Sequence, residues 1–168
     1  YFYMHTNKNA EDFKIDRTKD KNFKKWESYV VPKNETLIGS LTFLNNWVIR
    51  SEVNNALGKI FVKNVTKNIE EELIFSEEEV YDGGISLTQK DKNTDLIYIS
   101  YSTPKTQSRV YLYNLKTKEK KLVKEQIIPS GHDPKNYLVE RTECNSDDGR
   151  KVPLTIIRHK DTPLDGSA

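Results

Sequence analysis

The sequence predicts an all-β fold built from repeated four-stranded antiparallel sheets. Three observations carry this. Apolar and polar residues alternate at period two rather than at the helical 3.6. The runs are short, rich in β-branched and aromatic residues, and cut by Asn, Gly, Asp, Lys and Pro. One group of runs repeats another at a constant offset of 50 residues.

The elements follow in order. Tyr1–Thr6, Phe13–Thr18 and Trp26–Val31 read as three strands. A second group opens on the small residues Gly39-Ser40-Leu41-Thr42. In its next run Val48, Arg50 and Glu52 alternate with Ile49, Ser51 and Val53. Lys59-Ile60-Phe61-Val62-Lys63-Asn64-Val65 follows, and Glu71-Glu72-Leu73-Ile74-Phe75 closes the group. Asn68–Phe75 is the best helix candidate, but it is short and its apolar end reads better as strand, so almost no helix is expected. A third group has the same parts: Gly84-Ile85-Ser86-Leu87-Thr88, Ile97–Tyr101, Arg109-Val110-Tyr111-Leu112-Tyr113-Asn114-Leu115 and Lys120-Lys121-Leu122-Val123-Lys124.

Four short strands per ~50 residues is the period of β-propeller blades. The chemistry fits. Gly and Ser suit the innermost strand, which crowds the central axis. Apolar middle strands suit burial on both faces. Charged outer strands discourage edge-to-edge pairing. The expected domains are a partial propeller over residues 1–128, with blades near 1–36, 37–76 and 77–128, and a different section over 129–168. Two and a half blades are too few to close a ring, which takes about four or more. After the linker Pro129-Ser130-Gly131 and Asp133-Pro134, two strands, Leu138–Cys144 and Lys151–His159, flank the turn signal Asp148-Gly149. This hairpin has no counterpart in the repeats. The tail Asp161–Ala168 is expected to be loose.

The chain has 168 residues, with 27 Lys plus Arg against 25 Asp plus Glu. A net charge of +2 gives no electrostatic case for nucleic acid or an anionic membrane as partner. Hydrophobic residues make up 35%, which predicts a thin core, while 10% aromatic residues argue against a disordered chain. The single cysteine, Cys144, excludes an internal disulfide and a multi-Cys zinc site, and suits a cytoplasmic location. No apolar run approaches the roughly 18 residues of a membrane span. No signal peptide heads the sequence, and Tyr1 is not an initiating methionine, so more chain is expected upstream.

The stretch Pro129–Asp161 carries a resemblance. Its Asp133-Pro134, Asn136-Tyr137, Val139-Glu140-Arg141, Asp148-Gly149, Lys151-Val152-Pro153 and Arg158 resemble the propeller-to-catalytic-domain junction of the oligopeptidase B (protease II) branch of the prolyl oligopeptidase family of serine peptidases. Thr6-Asn7-Lys8 with Ala10 and Phe13-Lys14, and Tyr98-Ile99-Ser100-Tyr101-Ser102 followed by Val110-Tyr111, are similar to blades of the same enzymes. The resemblance implies a seven-bladed propeller inserted into an α/β-hydrolase domain. This chain would supply the last blades and the first hairpin of the returning hydrolase section. It implies short basic peptides as substrates of the intact parent, and the hydrolase domain and remaining blades as partners. The family's nucleophile sits on a G-x-S-x-G turn, with Asp and His further on. No Ser here has Gly at both −2 and +2, so no catalytic residue carries over.

The remaining candidates are weighed one by one. His5, His132 and His159 lack metal-ligand spacing, and zinc needs three or four converging ligands, so no metal is expected and no cofactor. His159 beside Asp161 has the parts of a general base with an orienting carboxylate, but an exposed strand end near a loose tail is favoured. Ser86 beside Gly83-Gly84 lacks the strand-to-helix turn that would activate it. Cys144 has Arg150 across the hairpin as a candidate cation, and a passive thiol is favoured. The run Lys19–Trp26 is basic with interleaved aromatics, and a solvated loop is favoured over nucleic-acid binding.

Two function classes follow. One is a non-catalytic, gating section of a serine oligopeptidase that cuts after Lys or Arg. The other is a propeller fragment of a protein-interaction scaffold, which the terminal hairpin disfavours. Exposed blade faces, at Tyr1–Met4 or Val48–Val53 and at Ile97–Tyr101 or Val110–Leu115, are expected to make the fragment self-associate.

Overall fold

The structure is a computed structural model that describes residues 1–74, 76 and 78–167. The chain forms two compact units, Tyr1–Ile74 with Lys92–Thr94, and Phe75–Asp91 with Asp95–Ala168. Among the described residues the only helical element is a 3₁₀ turn at Pro134–Asn136.

In the first unit, β1 (Phe2–Thr6), β2 (Lys14–Thr18) and β3 (Glu27–Val30) form an antiparallel sheet in the order β1-β2-β3. β4 (Thr36–Phe43), β5 (Trp47–Asn54), β6 (Leu57–Asn64) and β7 (Ile69–Glu72) form a second, in the order β4-β5-β6-β7. The β5–β6 connection is the two residues Asn55 and Ala56, both at positive φ (50° and 57°), as a tight hairpin turn requires. The three-stranded sheet packs on one face of β4–β7. Ile15, Val30 and Ile38 are buried together, with Tyr3, Phe13, Tyr29 and Leu41 against them. The Tyr3 ring lies 4.7 Å from Phe43, and Ile38 N donates to Asp12 O at 2.9 Å.

In the second unit, β8 (Asp82–Leu87), β9 (Leu96–Ser102), β10 (Arg109–Asn114) and β11 (Lys120–Glu125) form a meander in the order β11-β10-β9-β8. Ile97 and Ile99 of β9 are fully buried, whereas every residue of β11 is exposed. The gradient from apolar centre to charged edge is the one the sequence pattern predicts. β12 (Tyr137–Asn145) and β13 (Lys151–His159) form a hairpin in unbroken register from Tyr137 opposite His159 to Asn145 opposite Lys151. Gly149 takes φ 78° in its turn and donates to Ser146 O at 2.8 Å. This hairpin belongs to the same compact unit as β8–β11.

The offset-50 repeat is structural. Phe61 in β6 pairs with Arg50 and Glu72, and Tyr111 in β10 pairs with Ile99 and Leu122. The following turns also match. Asn64 Oδ1 accepts from Lys67 N at 2.9 Å, Asn114 Oδ1 accepts from Lys116 N at 2.9 Å, and Asn68 and Lys118 both sit at positive φ.

One strand is displaced from its expected place. The run Glu71–Phe75 forms its strand two residues earlier, at Ile69–Glu72, and Phe75 lies outside the described residues. Glu70 opposite Lys63 belongs to the ladder, while Leu73 turns inward to burial and donates to Ile60 O at 2.7 Å. Of the strands expected to lie bare, Val48, Ile49, Ile97 and Ile99 are buried, whereas Tyr1, Phe2 and Val53 are exposed.

Gly39 of the inner strand β4 is a steric requirement because backbone lies against it, whereas the contact at Gly84 is with a side-chain hydroxyl that can rotate away. A Cβ on Gly39 would collide with Ser51 Oγ and lie 2.9 Å from Ser51 O, and one on Gly84 would lie 2.7 Å from Ser100 Oγ. Gly58 meets nothing within 4 Å. Gly39→Ala is therefore expected to lower stability by about 1–3 kcal/mol, read as the urea midpoint. Gly58→Ala is expected to stay within about 0.5 kcal/mol of the parent chain.

Candidate functional site

The most elaborate polar arrangement lies where β1–β3 meets β4–β7. Arg50 and Glu52 project from β5 on the face that carries Ile38 and Leu41, and are only 5% and 3% exposed. Arg50 Nε donates to Glu52 Oε1 at 2.8 Å, and its two terminal nitrogens grip Glu70 at 2.8 and 3.1 Å. Lys33, from the β3–β4 connection, donates to both Glu52 oxygens at 2.8 and 2.9 Å. The Arg50 guanidinium and the Lys33 ammonium each lie 4.9 Å from the Phe61 ring centre. Burial works against the Arg50 charge, but hydrogen bonds to Glu70 and its charge, then Glu52, outweigh it and raise the Arg50 pKa. Burial also raises the pKa of Tyr29, helped by Tyr3 and Glu70. The four charges balance locally, and their donors and acceptors are spent on one another. This arrangement ties β5, β7 and the β3–β4 connection together and does not present a nucleophile.

A second polar cluster ties the hairpin to the blade before it. His132 Nε2 donates to Lys105 O at 2.6 Å, and its ring stacks on Tyr137 at 5.2 Å. Tyr137 meets His159 edge-on at 5.7 Å. Glu125 accepts from Arg109 Nε at 2.6 Å and from Gln107 Nε2 at 2.9 Å, which leaves Gln107 Oε1 buried without a partner among the described residues. A cavity of about 220 Å³ lies among Gln107, Glu125, Ile128 and His132.

The residues singled out in the sequence are scattered. His5 bonds to Ile38 O at 2.7 Å and stacks on Phe13 at 4.6 Å, a packing role. His159 is exposed at the end of β13, with Nδ1 3.5 Å from Asp161 Oδ2. Ser86 lies within β8 opposite Tyr98, not on a turn into a helix. Cys144 is exposed opposite Val152, and Arg150 pairs instead with Asp148 at 3.3 Å. The Ser146 hydroxyl, then the Arg150 backbone N–H, hold the Asp148 carboxyl below its ordinary pKa. The loop Lys19–Trp26 winds round Asp20, which accepts from Asn22 N at 2.9 Å and Lys24 N at 3.0 Å. Among the described residues no three His, Cys, Asp or Glu side chains are grouped to hold a metal, and no helix is long and apolar enough to cross a membrane. The sequence reading passed over Lys33, Arg50, Glu52 and Glu70. Its available signal was the pair of opposite charges at Arg50 and Glu52, on one face of an otherwise β-branched run.

Two alike four-stranded meanders preceded by three strands of another sheet are a segment of a β-propeller. The prolyl oligopeptidase N-terminal beta-propeller domain model matches residues 1–126, and the chain belongs to this family. The chain is 28% identical over 162 residues to the dipeptidyl aminopeptidase BI of Pseudoxanthomonas mexicana, covering 95% of this chain and 22% of that protein. It superposes on oligopeptidase B from Trypanosoma brucei with TM-score 0.84 and 22% identity, over 95% of this chain and 24% of that one. Against oligopeptidase B from Leishmania major the TM-score is 0.80 at 19% identity, over 97% of this chain and 24% of that one. The chain thus spans under a quarter of these proteins.

Proposed function

We propose that this chain is the gating, size-selecting segment of a cytoplasmic serine oligopeptidase that hydrolyses short peptides after Lys or Arg, and that the segment itself is non-catalytic. The family match over residues 1–126 carries the reading. A propeller standing over an active site admits short flexible peptides, turns away folded proteins and limits water. Residues 129–168 are read as the linker and first hairpin of the returning α/β-hydrolase section. Two-stranded hairpins are marginal alone, and this one leaves Leu138, Val152, Leu154, Ile156 and Ile157 exposed, as suits a piece that further chain covers. The T. brucei relative is described with covalently bound antipain, which is in keeping with a covalent peptidase parent. The reading frame downstream tests the proposal. A G-x-S-x-G turn with Asp and His further on supports it, and a frame without one favours an interaction scaffold.

The exposed apolar surface has a second consequence. Leu122 and Val123 of β11, Ile127 after it, and Tyr1 and Phe2 at the other end of the sequence are exposed. The isolated chain is expected to self-associate through such surfaces. Light scattering over a concentration series checks this, and a mass that stays monomeric throughout contradicts it.

A further inference from the structure

The last connection within each sheet falls at the same place in the repeat, and one of the three is enlarged. It is residues 115–119 in β8–β11, residues 65–68 in β4–β7 and residues 19–26 in β1–β3. The two short turns are closed by Asn114 and Asn64 and carry no aromatic residue. The long loop is built from its base upward. Asp20 N donates to Thr18 Oγ1 at 2.9 Å, the Asp20 carboxylate accepts from Asn22 N and Lys24 N, and Thr18 Oγ1 donates to Lys25 O at 2.5 Å. Phe23 is thereby held at φ 57°, which a bulky side chain rarely adopts, and is 50% exposed. Strain of this kind gathers at functional surfaces. The Phe23 ring meets Phe2 edge-on at 4.9 Å and stacks on Trp26 at 6.2 Å, and Trp26 Nε1 donates to Phe23 O at 2.9 Å. Lys21, Lys24 and Lys25 are exposed around these rings. A cavity of about 320 Å³ opens beside Trp26 among Arg17, Lys19 and Lys25, with Asp20 and Glu27 as its carboxylates. Both carboxylates are engaged, Asp20 by the loop's own N–H groups and Glu27 by Arg17 Nε at 2.7 Å.

We propose that the loop 19–26 with Phe2 docks an extended acidic segment of a partner protein, which sets carboxylates against the lysines and a large apolar side chain against Phe23 and Trp26. Charge complementarity selects this occupant. Among the described residues Lys19, Lys21, Lys24 and Lys25 make no ion pair, so the rings stand inside a ring of unspent cations. Exposed aromatics held rigid supply contact area at little entropic cost, and the cations choose an anionic partner. Nucleic acid calls for a broader basic field than one loop of a chain whose net charge is +2. A bilayer calls for a longer amphipathic element. The place of the loop agrees. In β8–β11 the turn 115–119 lies at the opposite end of β10 from Lys105, where His132 brings in the linker to the hairpin. Loop 19–26 holds the corresponding end of its own sheet, and insertions within repeats gather on a binding face.

The test is made on the full-length protein that contains this chain, by fluorescence anisotropy. The probe is a short labelled peptide alternating Glu with Phe, free of Lys and Arg and so not a substrate on the reading above. Saturable binding that weakens with salt is expected, with affinity at least about tenfold lower when Gln replaces every Glu. Two variants are compared at matched urea midpoints. Phe23→Gly removes the ring and takes a positive φ freely. Lys24→Glu/Lys25→Glu changes only exposed side chains. Each is expected to weaken binding at least about tenfold. If Phe23→Gly lowers the midpoint, the lysine variant decides alone. Phosphatidylserine vesicles and a single-stranded oligonucleotide are the competing occupants, and light scattering reports a second copy of the chain. The proposal is overturned by the absence of saturable peptide binding, by equal binding of the Gln peptide, or by a lysine variant that binds as the parent does. Tighter binding to vesicles or oligonucleotide also overturns it, as do variants whose only effect is on self-association.

Discussion

Replacing Arg50 alone with Met is expected to destabilise the chain by about 3 kcal/mol, the lower end of what losing one partner of a buried ion pair costs. The side chain is nearly buried and holds two carboxylates through three hydrogen bonds. Without it, Glu52 keeps only Lys33, and Glu70, whose side chain is 37% exposed, turns to water. That partial escape places the cost at the low end of the range. Arg17→Met is the control. Arg17 meets Glu27 at 2.7 Å, but both side chains are substantially exposed, so the loss is expected to be about 0–1 kcal/mol. Denaturant unfolding of the two variants side by side separates them. Equal effects would show that burial does not set the worth of these pairs.

The isolated chain is expected to turn over basic reporter peptides at the uncatalysed rate, at least about a million-fold below a working peptidase. Acyl transfer needs a nucleophile, a base and oxyanion donors in one place. Here Ser86 is held within a strand and has no hydrogen bond to an imidazole among the described residues. His5 and His132 are committed to backbone carbonyls. His159 stands at an exposed strand end, with Asp161 and Tyr137 as its neighbours. Turnover that survives repurification and is blocked by a serine-directed inhibitor would contradict this.

Much of the fold was legible because a period of two and a repeat of fifty are properties of spacing alone. Lys59–Val65 and Arg109–Leu115 announce their strands, and the shared Asn64 and Asn114 announce the turns. Burial was less legible. Arg50 and Glu52 look like the polar face of a half-exposed strand, since nothing local says that Lys33 and Glu70 arrive to neutralise them. Those partners lie 19 and 20 residues away in sequence. The end of β7 was misjudged for a related reason. Leu73-Ile74-Phe75 has strand-like residues, but the place of Glu70 in the ladder and the inward turn of Leu73 decide where the strand stops. The catalytic side of the account was not legible at all, because the motif that would carry it is not among these residues.

The central claim, that this segment gates a peptidase, is tested most directly by cleavage against substrate size in the full-length protein. One Lys- or Arg-containing target sequence is presented in a short peptide, in progressively longer peptides, and in an exposed loop of a folded protein. The gating account predicts cleavage after Lys or Arg in the short peptides, kcat/KM falling steeply with length, and a folded protein left intact. Cleavage of the folded protein at a rate like that of the short peptide would contradict it.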